Sequence, residues 1–276
     1  MSRVYQAIQQ AVKEGQQVSA QQPTIEKELL GCRSQEIPRP HRTETAAPQW
    51  IQANGKRSRL NLGDLTREEE MKLVQRVFLL PGPEAPRMTA FTSVEPGNGC
   101  SRVCACASEI LATLVTGSVC IVDANLRSPS LHRYFGVANS RGLTEAALQF
   151  GSLQNGSLQN YVQQLPGRRL YVLPCGSFPL DHHVLLTSEG LRSVLKKLRS
   201  QFDYVLVDTP PINHYADVTL LGQCVDGVVL VMEANSTRRE AARKAKDSLD
   251  AAKLHLLAAV LNKRTYPIPG FLYQKL

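Results

Sequence analysis

Aromatic residues are scarce, 6% of 276 with a single tryptophan. They are not interleaved in the manner of a sheet that stacks RNA bases, which argues against nucleic acid as a partner. Also missing is any apolar run of about 18 residues, so no membrane-spanning helix is expected. The opening stretch, MSRVYQAIQQAVKEG, has no apolar core followed by a small-residue cleavage site, and no secretory signal is expected there. A disulfide framework is absent too. The seven cysteines are odd in number and scattered, with Cys100, Cys104, Cys106 and Cys120 in one stretch. Such usage fits reduced thiols in a cytoplasm.

What is present is ordinary in bulk: 43% apolar and 20% charged residues, as in soluble globular proteins. The net charge of +8 favours anionic partners, whether nucleotide, acidic membrane face or nucleic acid. Much of it lies in helix-like stretches such as TRREAARKAK (237–246), where a solvated helix face accounts for it.

Residues 2–14 fit a short amphipathic helix with Val4, Ile8 and Val12 on one stripe. From about 15 to 65 the chain is polar and broken by Pro23, Pro38, Pro40 and Pro48, which reads as a linker. Two parts follow: 1–66, a short helix and linker, and 67–276, a folded domain. REEEMKLVQRVFLL (67–80) begins the domain as a helix, with acids in its first turn and an apolar stripe of Leu73, Val74, Val77 and Phe78. An alternation comes next. The expected strands are 88–93, 118–124, 170–176, 203–211, 226–234 and 255–262, with helices at 101–115, 189–201 and 237–252. Strands apolar on both faces that alternate with helices predict an α/β fold, a mostly parallel sheet covered on both sides. Ligands in such sheets sit beyond the carboxyl ends of the strands. A repeat, GSLQNGSLQN (151–160), is too short and polar for a structural unit and reads as a surface-loop duplication.

One strand-to-helix loop, VEPGNGCS (94–101), has the make-up of a phosphate cradle. Backbone N–H groups at a helix start converge on an anion, and the helix dipole adds to the attraction. Gly97, Asn98 and Gly99 form the turn, and Ser101 is placed to offer a hydroxyl to a metal ion. Against the pattern G-x-x-x-x-G-K-[ST], Val94 takes the first glycine position and Cys100 the lysine position. Two further strands end in carboxylates, Asp123 and Asp208, as sites that hold magnesium or its waters do.

Together TSVEPGNGCS, VDANLRSPSLHRYFG, LPCG (173–176), VLVDTPP and VLNKR (260–264) resemble the bacterial tyrosine kinases, the BY-kinases of capsule and exopolysaccharide synthesis. Those are P-loop relatives of the MinD/ParA ATPases. The resemblance covers roughly 67–276, and MSRVYQAI is also similar to the start of stand-alone members. It implies ATP or ADP with Mg2+ as cofactors. The loop 95–101 would wrap the β-phosphate, with Arg102 following it, and Ser101, Asp123 and Asp208 would serve the metal. Position 125 would serve metal and acceptor hydroxyl, and Asn262 would lie near the adenine. The implied partner is a membrane polysaccharide co-polymerase, which would place the chain peripherally at the inner face of the membrane.

The chain departs from that pattern at two positions. Cys100 stands where the family has lysine, and Asn125 where it has a second aspartate. A cysteine at a helix start invites the thiolate, which would repel phosphate. Losing one preorganised group that stabilises transition-state charge costs roughly 10²–10³ in rate. Losing a base costs roughly 10²–10⁴. The resemblance therefore implies a kinase-like regulatory protein with weak or lost activity. The alternatives are an active autokinase with an altered loop and a positioning ATPase of the MinD/ParA type. Arg102 and Arg127 are the nearby cations. The family's oligomerisation helix, E-x-x-R-x-x-R, survives as Glu70 and Arg76 with Leu73 between them, so some homo-oligomerisation is expected without a complete ring motif. The tail holds only Tyr266 and Tyr273 in place of a tyrosine cluster. Cys100 and Cys104 share a helix face that Cys106 leaves, which argues against a metal cluster of the three. Cys175 has no histidine and acid at motif spacing, which argues against a hydrolase. His182 and His183 read as an exposed loop pair.

Overall fold

The computed structural model describes residues 62–79, 85–152, 157–178 and 181–264. The chain divides into units Met1–Lys56 and Arg57–Leu276, and every described residue belongs to the second. The expected helix at 2–14, the linker, and the tail with Tyr266 and Tyr273 lie outside the described residues.

In chain order the elements are α1 (Leu62–Phe78), β1 (Met88–Ser93), α2 (Cys100–Leu114), β2 (Val119–Asp123), α3 (Leu131–Phe135) and α4 (Leu143–Ser152). Next come β3 (Gln163–Gln164), β4 (Leu170–Leu173), α5 (His182–Thr187), α6 (Glu189–Gln201) and β5 (Tyr204–Asp208). The last are α7 (Asp217–Leu221), β6 (Gly227–Glu233), α8 (Arg239–Ala251) and β7 (Leu256–Asn262). The strands form one sheet in the order β3-β4-β2-β5-β1-β6-β7. All pairings are parallel except that of β3 with β4.

The layers follow from the apolar content of the strands. Every residue of β1 and β2 is buried, so both faces need a cover. On one face Phe91, Ile121, Leu206 and Val229 pack against Val74 and Phe78 of α1 and Val103, Ala107 and Leu111 of α2. On the other, Val122, Val205 and Val207 meet Ala146 of α4 and Leu191, Val194, Leu195 and Leu198 of α6. Ala245 and Leu249 of α8 cover Ala90, Val228 and Leu230 on that same side. In α6 the buried residues recur at helical spacing, and each leucine contributes about 1.5–3 kcal/mol by leaving water. Ser188 starts α6 by accepting a hydrogen bond from the Leu191 amide at 3.1 Å.

At the rim opposite the ligand end, Asp226 accepts from the Arg87 and Met88 amides, both at 2.8 Å, and pairs with Arg199 at 2.7 Å. That contact fixes the start of β1 against the chain entering β6. Two expectations needed correction. Helix α1 begins at Leu62, six residues before the acidic cluster that starts at Glu68, since sequence pattern locates helix ends poorly. The duplicated segment is not wholly surface: Leu158 of its second copy is buried in the core. The short helices α3, α4, α5 and α7 lie in stretches where the sequence pattern alone marks no element.

Candidate functional site: an anion loop beside two buried carboxylates

The loop after β1 is anchored at both ends. Val94 is fully buried, and its amide donates to the Val231 carbonyl at 3.0 Å. The side chain at the first glycine position therefore serves as core. Asn98, 3% exposed, accepts from the Glu95 amide at 2.9 Å and so braces the turn from inside. Gly97 and Gly99 hold φ at 82° and 86°, left-handed values that would strain a residue with a Cβ. A Cβ on Gly99 would also collide with the Asn262 amide, which donates to the Asn98 carbonyl at 2.8 Å. Gly99 caps α2, and no side chain caps that helix start. The first-turn N–H groups of Cys100, Ser101 and Arg102 thus keep their capacity for an anion, with the positive end of the helix dipole behind them.

Parallel pairing sets Asp123 of β2 directly beside Asp208 of β5, and Asp208 beside Phe91 of β1. Both carboxylates are fully buried. Asp123 accepts the Ser130 and Leu131 amides at 2.9 and 3.0 Å through one oxygen. Burial still holds its pKa above the ordinary carboxylate range, against the pull of those amides. Asp208 is raised as well, by burial first and by the neighbouring charge of Asp123 second. Ser101 and Cys100 stand near enough to oppose that rise, but neither reaches hydrogen-bond geometry. One oxygen of Asp123 and both of Asp208 have no protein partner.

A divalent cation fits this arrangement, because three buried carboxylate oxygens lacking donors lie beside a serine hydroxyl and an anion loop. Among the described residues no three His, Cys, Asp or Glu side chains form a ready-made cage. A magnesium ion here would take Ser101 and the carboxylates, directly or through water, with phosphate completing its shell.

The structure brings Gly97, Asn98, Gly99, Cys100, Ser101, Asp123, Asp208 and Asn262 to one end of the sheet. Arg102 turns elsewhere: it is half exposed and lies 3.7 Å from Glu70 of α1. Asn125 folds onto its own loop, accepting from the Ser128 amide at 3.2 Å. Cys100 corrects the thiolate expectation. It is 8% exposed, and burial together with the Asp208 charge pushes its thiol well above the usual range. The thiol is therefore neutral in the protein alone, and neither attracts nor repels phosphate strongly.

Sequence reasoning missed Asp217. This residue is 2% exposed and accepts from Arg127 at 3.2 Å, while the Arg127 guanidinium lies 4.1 Å from the centre of the Tyr215 ring. The contact ties the loop after Asp123 to the loop after Asp208. A lone acid at the start of the short helix DVTLL was the available signal, and a cap reading would have absorbed it.

No family model matches the chain. It is similar to the tyrosine-protein kinase YwqD of Bacillus subtilis, with 35% identity over 171 residues, which are 62% of this chain and 70% of the relative. The solved structure of the chimerical protein CapA2B2 superposes with a TM-score of 0.66 at 26% identity, over 72% of this chain and 85% of that one. The septum site-determining protein MinD of Pyrococcus horikoshii, complexed with Mg-ADP, shares the fold, with a TM-score of 0.53 at 22% identity over 68% of this chain and 76% of that one. With the phosphate loop, the two strand-end carboxylates and this degree of identity together, the chain belongs to the bacterial tyrosine-protein kinase family, on a P-loop fold of the ParA/MinD type.

Proposed function

We propose that the domain binds ATP or ADP with Mg2+ and transfers phosphate slowly or not at all, acting as a regulatory partner in capsule or exopolysaccharide synthesis. The observation that carries the reading is the pairing of an intact main-chain cradle with an absent cation. The loop amides and the dipole of α2 would bind the β-phosphate. Ser101, Asp123 and Asp208 would hold the metal, whose contribution when bound is to neutralise charge on the phosphates.

Two things limit turnover. The neutral Cys100 thiol supplies no positive charge where the leaving phosphate gains negative charge. Asn125, engaged with Ser128, has no basic oxygen to take the proton of an acceptor tyrosine. Arg102 does not compensate, since its guanidinium faces Glu70. Each loss alone costs roughly two orders of magnitude or more.

A membrane polysaccharide co-polymerase is the proposed partner. The setting is what the resemblance of the motifs implies; relatives named putative tyrosine-protein kinases, CapB of Staphylococcus aureus and EpsB of Ralstonia solanacearum, support the family itself. Among the described residues no helix is long and apolar enough to cross a membrane. Attachment at the inner membrane face through that partner is part of the proposal. The domain organisation of the proposal is a kinase-like unit at 67–276 preceded by a helix and linker, with self-association through α1 incomplete because Leu73 interrupts the motif.

The test is incubation of the full chain with labelled ATP and Mg2+, alongside calorimetry with ADP. Binding without phosphotyrosine supports the reading. Fast tyrosine autophosphorylation would instead favour the active autokinase, and hydrolysis stimulated by lipid or DNA would favour a positioning ATPase.

A further inference from the structure

A polar stripe runs along one flank of α2. Arg102, Glu109, Ile110 and Thr113 recur there at helical spacing, and with Arg67 and Glu70 of α1 they line a cavity of about 460 Å³. Its far wall is the turn joining β3 to β4. Pro166 and Gly167 shape that turn, with Gly167 at φ 68° and the Leu165 carbonyl accepting the Arg168 amide at 3.3 Å. The turn sets Arg168 against the Glu109 carboxylate at 2.5 Å. A neighbouring cavity of about 430 Å³ shares Thr113 and Arg168 and adds Arg169. Such volumes are those of small-molecule sites.

Three guanidiniums from three elements thus line one space with two carboxylates. Arg67 pairs with no acid among the described residues. Arg102 lies 3.7 Å from Glu70, too far for a hydrogen bond, so its donors stay uncommitted. Arg168 gives one nitrogen to Glu109 and keeps the rest of its fork. The mixture decides the ligand. Guanidinium forks match phosphate oxygens. The two carboxylates would repel a bare anion, yet each accepts from hydroxyl groups. Ile110 adds an apolar shelf. Cations, acceptors and a shelf together suit a molecule that bears both a phosphate and a ring of hydroxyls.

We propose that this cavity binds a sugar phosphate, with Arg67, Arg102 and Arg168 on the phosphate and Glu70 and Glu109 on the sugar hydroxyls. The site is separate from the anion loop, and it stands whether or not that loop binds nucleotide.

The experiment is calorimetry on the full chain, with and without ADP and Mg2+. The probes are glucose, galactose and mannose 1-phosphates, the free sugars, and inorganic phosphate. At least one sugar phosphate should bind once per chain with a Kd in the millimolar range or tighter, the scale for ligands of this size. The matching free sugar and inorganic phosphate should each bind at least about tenfold more weakly, since each lacks one set of contacts. Arg168→Ala should weaken the sugar phosphate roughly tenfold or more. Its exposed ion pair contributes little to folding, and circular dichroism checks that the variant folds. Arg67→Ala serves the same purpose, and Lys246→Ala on α8 should change nothing. Binding of none of the three sugar phosphates, or inorganic phosphate binding as tightly, would overturn the inference. So would affinity unchanged in both arginine variants, or binding lost when ADP and Mg2+ are added.

Discussion

Replacing Asp208 by asparagine removes a buried carboxylate without protein partners, and its consequence for stability can be worked out. Asp208 is fully buried, neither oxygen has a protein partner, and Asp123 lies beside it in register. Asp123 is better provided for, with two amides on one oxygen. Burial first, and the neighbouring charge second, push the Asp208 pKa up to about 8, above that of the unfolded chain. Between the two values the folded state binds more protons than the unfolded state, so stability falls as pH rises through that window. Each pH unit of the window is worth about 1.4 kcal/mol. The ionised site therefore costs on the order of 5 kcal/mol once pH passes the folded value. The asparagine variant escapes that cost and can donate to Asp123. For a domain of this size, about 2–4 °C per kcal/mol gives a Tm roughly 10–20 °C above that of the native chain at pH 8.5, without divalent cation. At pH 4 the two chains should melt alike, because the native carboxyl is then protonated in the fold. Added Mg2+ and ADP should raise the native Tm at pH 8.5 and leave the variant's nearly unchanged. Thermal unfolding followed by circular dichroism checks all of this. A variant less stable than the native chain at pH 8.5, or a difference that does not shrink towards pH 4, would refute the reasoning.

Restoring lysine with Cys100→Lys should tighten ADP·Mg2+ binding by roughly tenfold or more in calorimetry, with phosphotyrosine still scarce. Adding Asn125→Asp should raise autophosphorylation by roughly 10²–10⁴ over the single variant, read with labelled ATP. Gly99→Ala should abolish ADP binding and lower stability by about 1–2 kcal/mol, since it combines left-handed backbone with a clash against Asn262. Asp226→Ala should cost about 1–3 kcal/mol in denaturant unfolding by leaving the Arg87 and Met88 amides unpaired, while ADP affinity stays the same.

Much of the architecture was legible because period and apolar content report burial directly. The run VCIVD has no polar face, so it had to lie inside a covered parallel sheet, and it does. Helix α6 spans the expected Glu189–Gln201. Short helices such as Leu131–Phe135 and Asp217–Leu221 were not legible, because five residues carry too little periodicity to stand above the loops around them. At the site, loop glycines and strand-end acids were readable as motifs. The Arg127–Asp217–Tyr215 contact was not, since Arg127 lies 90 residues from Asp217 and nothing local marks the pair.

The order of residues alone determined the alternation of strand and helix, the loop chemistry and the two substitutions at Cys100 and Asn125. These are properties of neighbours along a chain. Tertiary structure alone decided that Asp123 and Asp208 share a buried pocket with unpaired oxygens, that Arg102 faces Glu70, and that Cys100 is a neutral thiol. Ionisation and pairing depend on the distance to groups brought in by other strands and on the exclusion of water, and neither exists until the sheet is assembled.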